Sequence, residues 1–555
     1  MQRHGGKILS DHLKAFGVKR VFSVPGESFL AALDGLYDSG ITNIVCRQEG
    51  GAAMMAEAYG KMTGQAGVCF VTRGPGATNA SAGVHVAMQD STPMVLFVGQ
   101  IDNRLTDRET FQEVDYRAMF GGIAKWTAQI DHTDRIPEYV ARAFQTATSG
   151  RPGPVVLALP ENILSAVSDA PDRALTVPVR PDLTQVAGNI MAKLSKAKRP
   201  MVVVGGPHWS PQAATDLAQF ASTQGLPVAA GFRRQDYIDN RHPHYAGDLN
   251  VGINPKLAAR MRDADMLLVI GSRLGDIDTQ GYTIPDPNSG PASNSGPAPA
   301  PQIIHIHAQE DEIGAVYPAT LGVAARAPAM IAALAAQPSC GTDWSGWTSA
   351  ARADYQTWLT PTVSPGALKQ EDVITWLSDN LPDDAIVTNG AGNYAAWLHR
   401  YFVYKTYGTQ LAPTSGSMGY GFPAAISASL HNPDKTVVCL AGDGCFQMTC
   451  NELSTAAQHG ATPIVIVMDN GRYGTIRMHQ EKTYPGRVSG TALTNPDFAA
   501  LAQAYGGHGA WVTRSEDFGP SFARAKAAGT FAVIACKVDH DALATSLTLS
   551  QLQKG

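Results

Sequence analysis

"TVVCLAGDGCFQMTCNELSTAAQHGATPIVIVMDNGRYG", residues 436–474, decides the fold. Two apolar, β-branched runs each lead into a turn, and a segment long enough for a helix separates them. That is the pattern of a strand–helix–strand unit whose strands run parallel and are covered on both faces. Ligands of open parallel sheets collect at the carboxyl ends of the strands. If the two strands are neighbours, Asp443 and Asn470 project toward one point there, together with a backbone carbonyl from the turn at Arg472.

Few, hard and only partly anionic oxygen ligands suit Mg²⁺, which completes its shell with water and phosphate oxygens. The missing ligands are then those of a diphosphate. The spacing predicts a helix over Cys445–His459, whose amino end would favour such an anion, with Gly442 and Gly444 letting the backbone come close. The plain alternative is that Asp443 and Asn470 only shape two turns after core strands.

The same alternation continues in both directions along the chain. "DDAIVTNG" and "TFAVIACKV" extend the pattern into a C-terminal domain over 366–545. "RPMVVVGG", "GLPVAAG", "ADMLLVIGSRLGD" and "QIIHIHA" mark a central domain over 186–336. "NIVC", "GVCFVT", "PMVLFVG" and "PVVLAL" mark an N-terminal domain over 1–168. The expected fold class is α/β, with three consecutive open parallel-sheet domains. The proline-rich "SDAPDRALTVPVRPDL" (168–183) reads as a linker, and "IPDPNSGPASNSGPAPAPQ" (284–302) as an exposed loop without chemistry.

A chain of 555 residues is too long for one core. Apolar residues at 44%, charged residues at 16% and a formal net charge of -5 give no electrostatic reason for a nucleic-acid or anionic-membrane partner. Seven scattered cysteines fit reduced thiols and a cytoplasmic location. Cys445 and Cys450 lack a second ligand pair, which argues against zinc. The opening "MQRHGGKILSDHLKAFGV" reads as an amphipathic helix, and no later run reaches the roughly 18 apolar residues of a membrane span.

"VCRQEGGAAMMAEAYGKMTG" (45–64) places Glu49 where a strand hands over to a helix. Alone, Glu49 reads as a helix-start carboxylate favoured by the dipole. In company the reading changes. "VFSVPGE", "QEGGAAMMAEAYG", "TRGPGATN", "DSTPMVLFVGQ", "FQEVD", "TSGRPGPVVLALPENI", "SGSMGYGFPAAI" and the opening stretch follow one another in order over nearly the whole chain. Together they resemble the acetohydroxyacid (acetolactate) synthase family, whose members use thiamine diphosphate; Asp469 replaces the first Asn of the metal signature.

The resemblance implies a pyrimidine-binding N-terminal domain, a central domain that holds FAD in some members, and a C-terminal diphosphate-binding domain. It implies coenzyme contacts at Pro25, Glu49, Thr72 and Asn79 on the pyrimidine side. On the diphosphate side it implies Gly392, Asn393, Gly416, Met418, Gly442, Asp443, Gly444, Cys445, Asn470, Tyr473, Gly474 and Thr475. Met418 would prop the coenzyme in its bent form; otherwise it is a core methionine. Each site would need a homodimer at least, and tetramers are common among relatives. Arg273, in "GSRLGD", would face an FAD or nucleotide phosphate, with a vestige lacking any ligand as the equal alternative.

The implied chemistry starts at Glu49, whose bond to the pyrimidine ring favours the imino tautomer that deprotonates the thiazolium. The carbanion adds to a 2-oxo acid, CO₂ leaves, and the enamine either attacks a second carbonyl compound or is protonated to give an aldehyde. Phe111 and Gln112 match residues bordering the substrate, and Gln89 and Ser91 are weaker lining candidates. This sequence also departs from the family. Glu27 stands where the synthase motif has glycine and where pyruvate decarboxylases resemble it with a proton-handling aspartate; its alternative is a helix-start neighbour of Ser28. His479 replaces the acceptor-recognising tryptophan, or is a plain surface residue, and Thr475 replaces a methionine. Against simple decarboxylation, the place of the decarboxylase's second acid is Ile476, and the N-terminal domain has no adjacent His pair. Three outcomes stay open: a carboligase with an altered acceptor, a 2-oxo acid decarboxylase, and a catalytically silent cofactor-binding protein.

Overall fold

The computed structural model describes residues 2–176, 178–179, 181–285 and 301–554; most of the Pro/Ser-rich loop read from the sequence lies outside the described residues. Three six-stranded sheets follow one another along the chain. The first holds β1 (Arg20–Ser23), β2 (Thr42–Val45), β3 (Gly67–Val71), β4 (Met94–Gln100), β5 (Trp126–Gln129) and β6 (Pro154–Pro160). Their order is β2-β1-β3-β4-β6-β5, with every pair parallel. β3, β4 and β6 are buried at every position because helices cover both faces of the sheet.

The second sheet holds β7 (Pro200–Val204), β8 (Val228–Ala230), β9 (Tyr245–Asp248), β10 (Met266–Ile270), β11 (Gln302–His307) and β12 (Leu321–Ala324). Its order, β9-β8-β7-β10-β11-β12, reverses between β7 and β10, which opens a crevice at their carboxyl ends. The third holds β13 (Ile386–Asn389), β14 (Gln410–Leu411), β15 (Val437–Gly442), β16 (Ile464–Asp469), β17 (His508–Val512) and β18 (Ala532–Lys537). It is ordered β14-β13-β15-β16-β18-β17, the same winding as the first. None of the described helices is long and apolar enough to cross a membrane.

Helix α1 (Glu49–Thr63) forms as its sequence reads: the Gln48 side chain accepts the Gly51 N–H at its start, and Gly64 ends it at φ 69°. Its Gly and Ala face packs on α2 (Pro75–Asp90) and on α3 (Gly421–His431), which joins the N- and C-terminal domains. At that joint Glu57 is fully buried, accepting bonds from Thr92 Oγ1 at 2.6 Å and from the Tyr420 hydroxyl. Burial pushes its carboxyl up to about 7. The central domain is tied in by the loop after β8. There Arg233 donates to the Gly390 carbonyl at 3.0 Å, and Asp236 Oδ2 accepts the N–H groups of Gly408, Thr409 and Gln410.

One expected element is broken. In place of a continuous helix over Cys445–His459 the chain forms Asp443–Gln447, a 3₁₀ turn at Cys450–Glu452 and Leu453–His459. Tertiary partners explain the interruption. Thr449 Oγ1 donates to the Gly419 carbonyl at 2.8 Å, and the Glu452 carboxylate accepts the backbone N–H groups of Arg47 and Gln48.

Candidate active site

β15 and β16 are adjacent, with Gly442 in register with Met468, so the turns that follow them open side by side. Asp443 Oδ1 accepts the Gly444 N–H, and its Oδ2 accepts the Gly471 N–H, both at 2.9 Å. The turn after β16 is thereby fastened onto Asp443. Burial, with the Asp469 carboxylate alongside, raises the Asp443 pKa. The Asn470 side-chain oxygen accepts the Arg472 N–H at 3.2 Å, closing the turn locally.

A cavity of about 240 Å³ lies over these groups. It is lined by Gly392, Asn393, Gly416, Met418, Gly442, Asp443, Gly444, Cys445, Asn470, Arg472, Tyr473, Gly474 and Thr475, which the structure therefore brings together. A Cβ on Gly444 would stand 2.5 Å from the Tyr473 ring, so this position takes no larger residue. Asn393 is held by Thr475 Oγ1 at 2.8 Å and by the Leu543 carbonyl at 2.6 Å. The Cys445 thiol accepts bonds from the Gly419 N–H at 3.2 Å and the Tyr394 hydroxyl at 3.3 Å. Burial raises the Tyr394 pKa. The side-chain oxygens of Asp443 and Asn470 border the same cavity and are hard donors of the kind that suits a divalent cation that also binds phosphate.

A second group of residues gathers at the carboxyl edge of the first sheet. Glu49 Oε2 accepts the Asn79 amide at 2.9 Å, and Thr72 follows β3 beside the turn that carries Pro25 and Glu27. Arg73 Nη2 lies 3.3 Å from Glu27 Oε1, and Arg73 Nε donates to the Phe111 carbonyl at 3.3 Å. Gln112, with φ 64°, turns the chain next to Phe111. None of these residues lines the cavity of its own chain.

Four of the expected residues stand away from this cavity. Gln89 and Ser91 are at the far end of α2, about 15 Å of helix from Asn79. They border a separate cleft between the N-terminal and central domains, where Ser91 Oγ accepts the Arg151 Nε–H at 2.8 Å. His479 is exposed; it follows Thr475 by one turn of α4 (Gly474–Thr483), which carries it past the cavity rim while Ile476 lines it. Arg273 faces Glu312 Oε2 at 2.7 Å.

Sequence reasoning missed Asn495, whose amide donates to both Asp443 and Asp469, and Gln370, Trp397 and Leu543 of the cavity wall. These sit outside any motif. It also passed over Arg73, although a charge placed between an apolar strand and "GPGATN" was visible.

Three family models match the chain: "Thiamine pyrophosphate enzyme, N-terminal TPP binding domain" over residues 3–119, "central domain" over 188–334, and "C-terminal TPP binding domain" over 390–536. Among curated proteins the chain is 32% identical to the acetolactate synthase isozyme 2 large subunit of Escherichia coli over 517 residues, covering 92% of this chain and 91% of that protein. It is 31% identical to the acetolactate synthase large subunit of Corynebacterium glutamicum, covering 94% of this chain and 84% of that protein. It is likewise 31% identical to the mitochondrial acetolactate synthase catalytic subunit of Aspergillus candidus, covering 90% and 76%.

Proposed function

The chain belongs to the thiamine pyrophosphate enzymes of the acetolactate synthase type, and from that premise we propose that it decarboxylates a 2-oxo acid, pyruvate or a similar one, and joins the remaining fragment to a second carbonyl compound. The observation that carries this reading is the cavity at the ends of β15 and β16, where Asp443 is fastened to the 470–472 turn. Asp443, Asn470 and the Arg472 carbonyl would hold Mg²⁺, and the glycines at 416, 442 and 444 would admit a diphosphate against the backbone. Met418 gives the cavity an apolar shelf.

Thiamine diphosphate, when bound, would supply a nucleophilic carbon and an electron sink for the decarboxylation of a 2-oxo acid. The chain's own residues do the rest. Glu49 would hold a proton for the pyrimidine ring of the coenzyme, and Asn79 orients it through the 2.9 Å bond to Oε2. Because Glu49 lies outside its own chain's cavity, a second copy provides it, so the working unit is a homodimer or a tetramer built from dimers. Phe111 and Gln112 border the substrate from the same edge.

Glu27 supports a second outcome, release of an aldehyde, because its exposed carboxylate stands at that edge where a proton is needed. FAD, which some members of the family hold in the central domain, would lie in the cleft lined by Gly205, Gly206, Arg234 and Arg273, where Arg273 also meets Glu312 and the Asp278 carboxylate is engaged by the Phe232 N–H and Ser272 Oγ.

The test is to supply thiamine diphosphate, Mg²⁺ and 2-oxo acids singly and in pairs, and to identify the products. CO₂ with a hydroxyketone or acetohydroxy acid in excess supports the proposal. CO₂ with aldehyde alone gives the function to the decarboxylase reading, and no CO₂ from any 2-oxo acid overturns both.

A further inference from the structure

We propose that Arg73 is a positioning residue that holds Glu27 at the site edge and thereby sets the share of product released as aldehyde; this rests on the reading of Glu27 as a proton carrier.

The backbone that carries Glu27 is fixed independently of its side chain. A Cβ on Gly26 would fall 2.4 Å from Thr72 Cβ, so the chain can pass there only as glycine. Ser28 Oγ and Thr72 Oγ1 are 2.8 Å apart and pin the following residue. The Glu27 side chain itself is 68% exposed and, among the described residues, has one charged neighbour in reach, the Arg73 guanidinium. Arg73 is the reverse case: its side chain is 9% exposed and planted beneath the edge.

The guanidinium serves three acceptors at once. Nη2 meets Glu27 at 3.3 Å, Nη1 meets Glu161 Oε2 at 3.4 Å, and Nε donates to the Phe111 carbonyl at 3.3 Å. Two carboxylates and one carbonyl around a rigid planar fork fix its orientation, and a lysine would offer a point charge without that plane. Arg73 thus joins Glu27 to the turn that carries Phe111 and Gln112. A freely rotating glutamate spreads over several rotamers, and one anchored at a single oxygen keeps the other free to face the substrate.

The two product channels need their proton at different atoms. Aldehyde release adds one proton to the carbon that has lost CO₂. Ligation forms a carbon–carbon bond at that carbon and adds one proton to the new alkoxide oxygen. Each consumes one proton per CO₂, and a held Glu27 favours the first.

The experiment uses full-length protein with thiamine diphosphate, Mg²⁺ and whichever 2-oxo acid the wild type turns over fastest, and reads the aldehyde-to-ligated-product ratio. Glu27→Gln, Arg73→Gln, Arg73→Lys and the Glu27→Gln/Arg73→Gln pair are compared. Arg73→Gln is expected to lower the ratio roughly fivefold, the size of a partly exposed charge-assisted contact. Arg73→Lys should restore part of it, KM for the oxo acid should move less than the ratio, and the double variant should match Glu27→Gln alone. An unchanged ratio in Arg73→Gln, a multiplicative double variant, or loss of coenzyme binding by Arg73→Gln would each overturn the assignment. If Glu27→Gln itself leaves the ratio unchanged, the reading of Glu27 fails, and the assignment of Arg73 falls with it.

Discussion

The side-chain amide of Asn495 lies 2.7 Å from Asp443 Oδ2, and the same nitrogen lies 2.7 Å from Asp469 Oδ1. Gln447 Nε2 donates to the Asn495 oxygen at 2.9 Å, so the amide is held in place from both ends. It separates two carboxylates that would otherwise repel at the mouth of the cavity. Removing an outer partner of a metal-ligating carboxylate costs about 10–100-fold in metal affinity. Asn495→Ala should therefore weaken Mg²⁺ binding by that order, and Asn495→Asp by more, as read from Mg²⁺ titrations of coenzyme binding.

Glu49→Gln keeps the shape of the side chain and its place beside Asn79, but removes the ionisable proton. Proton exchange at the reactive carbon of bound coenzyme should slow by about 10²-fold or more, the usual range for general acid–base catalysis. Deuterium exchange followed by NMR checks this, and coenzyme affinity should change far less than the rate.

Chains carrying Glu49→Gln and chains carrying Asp443→Ala should each be inactive. Co-expressed, they form heterodimers in which one of the two sites has both residues intact. Random pairing then predicts recovery of about a quarter of wild-type activity. Recovery near zero would mean that Glu49 and Asp443 act within one chain.

Glu57 gives a pH dependence of stability. Its carboxyl titrates near 7 when folded, against an ordinary value of 4.5, because burial disfavours the charged form. Between those values the folded chain keeps a proton that the unfolded chain has released. Stability therefore falls as pH rises from about 4.5 to 7, by on the order of 3 kcal/mol at most, and is flat above. Glu57→Gln, which retains acceptor and donor atoms for Thr92 and Tyr420, should remove that decline. Apparent Tm values of the two proteins should diverge in favour of the variant between pH 5 and 7.5.

The central strands of each sheet were legible in the sequence, because β3, β4, β7, β10, β15 and β16 are continuous apolar runs that only burial on both faces explains. Edge strands such as β5, β12, β14 and β17 were not, being short or half exposed with mixed patterns. In the site, Asp443 and Asn470 could be read because each ends an apolar strand at a glycine turn. Asn495 could not be, since its role exists only once the 491–497 segment folds back onto Gly471 and Asp443. The broken helix after Gly444 was equally hidden: local propensity favours its continuation, and what interrupts it is a demand from residues about 400 positions away.

Glu452 answers that demand by capping the amides just ahead of Glu49 from the segment that begins at Asp443. Chimeras that graft the first third of one relative onto the last third of another will meet a mismatch at this seam, wherever the breakpoint is placed in between. Library design should treat positions 47–49 and 452 as one inherited block.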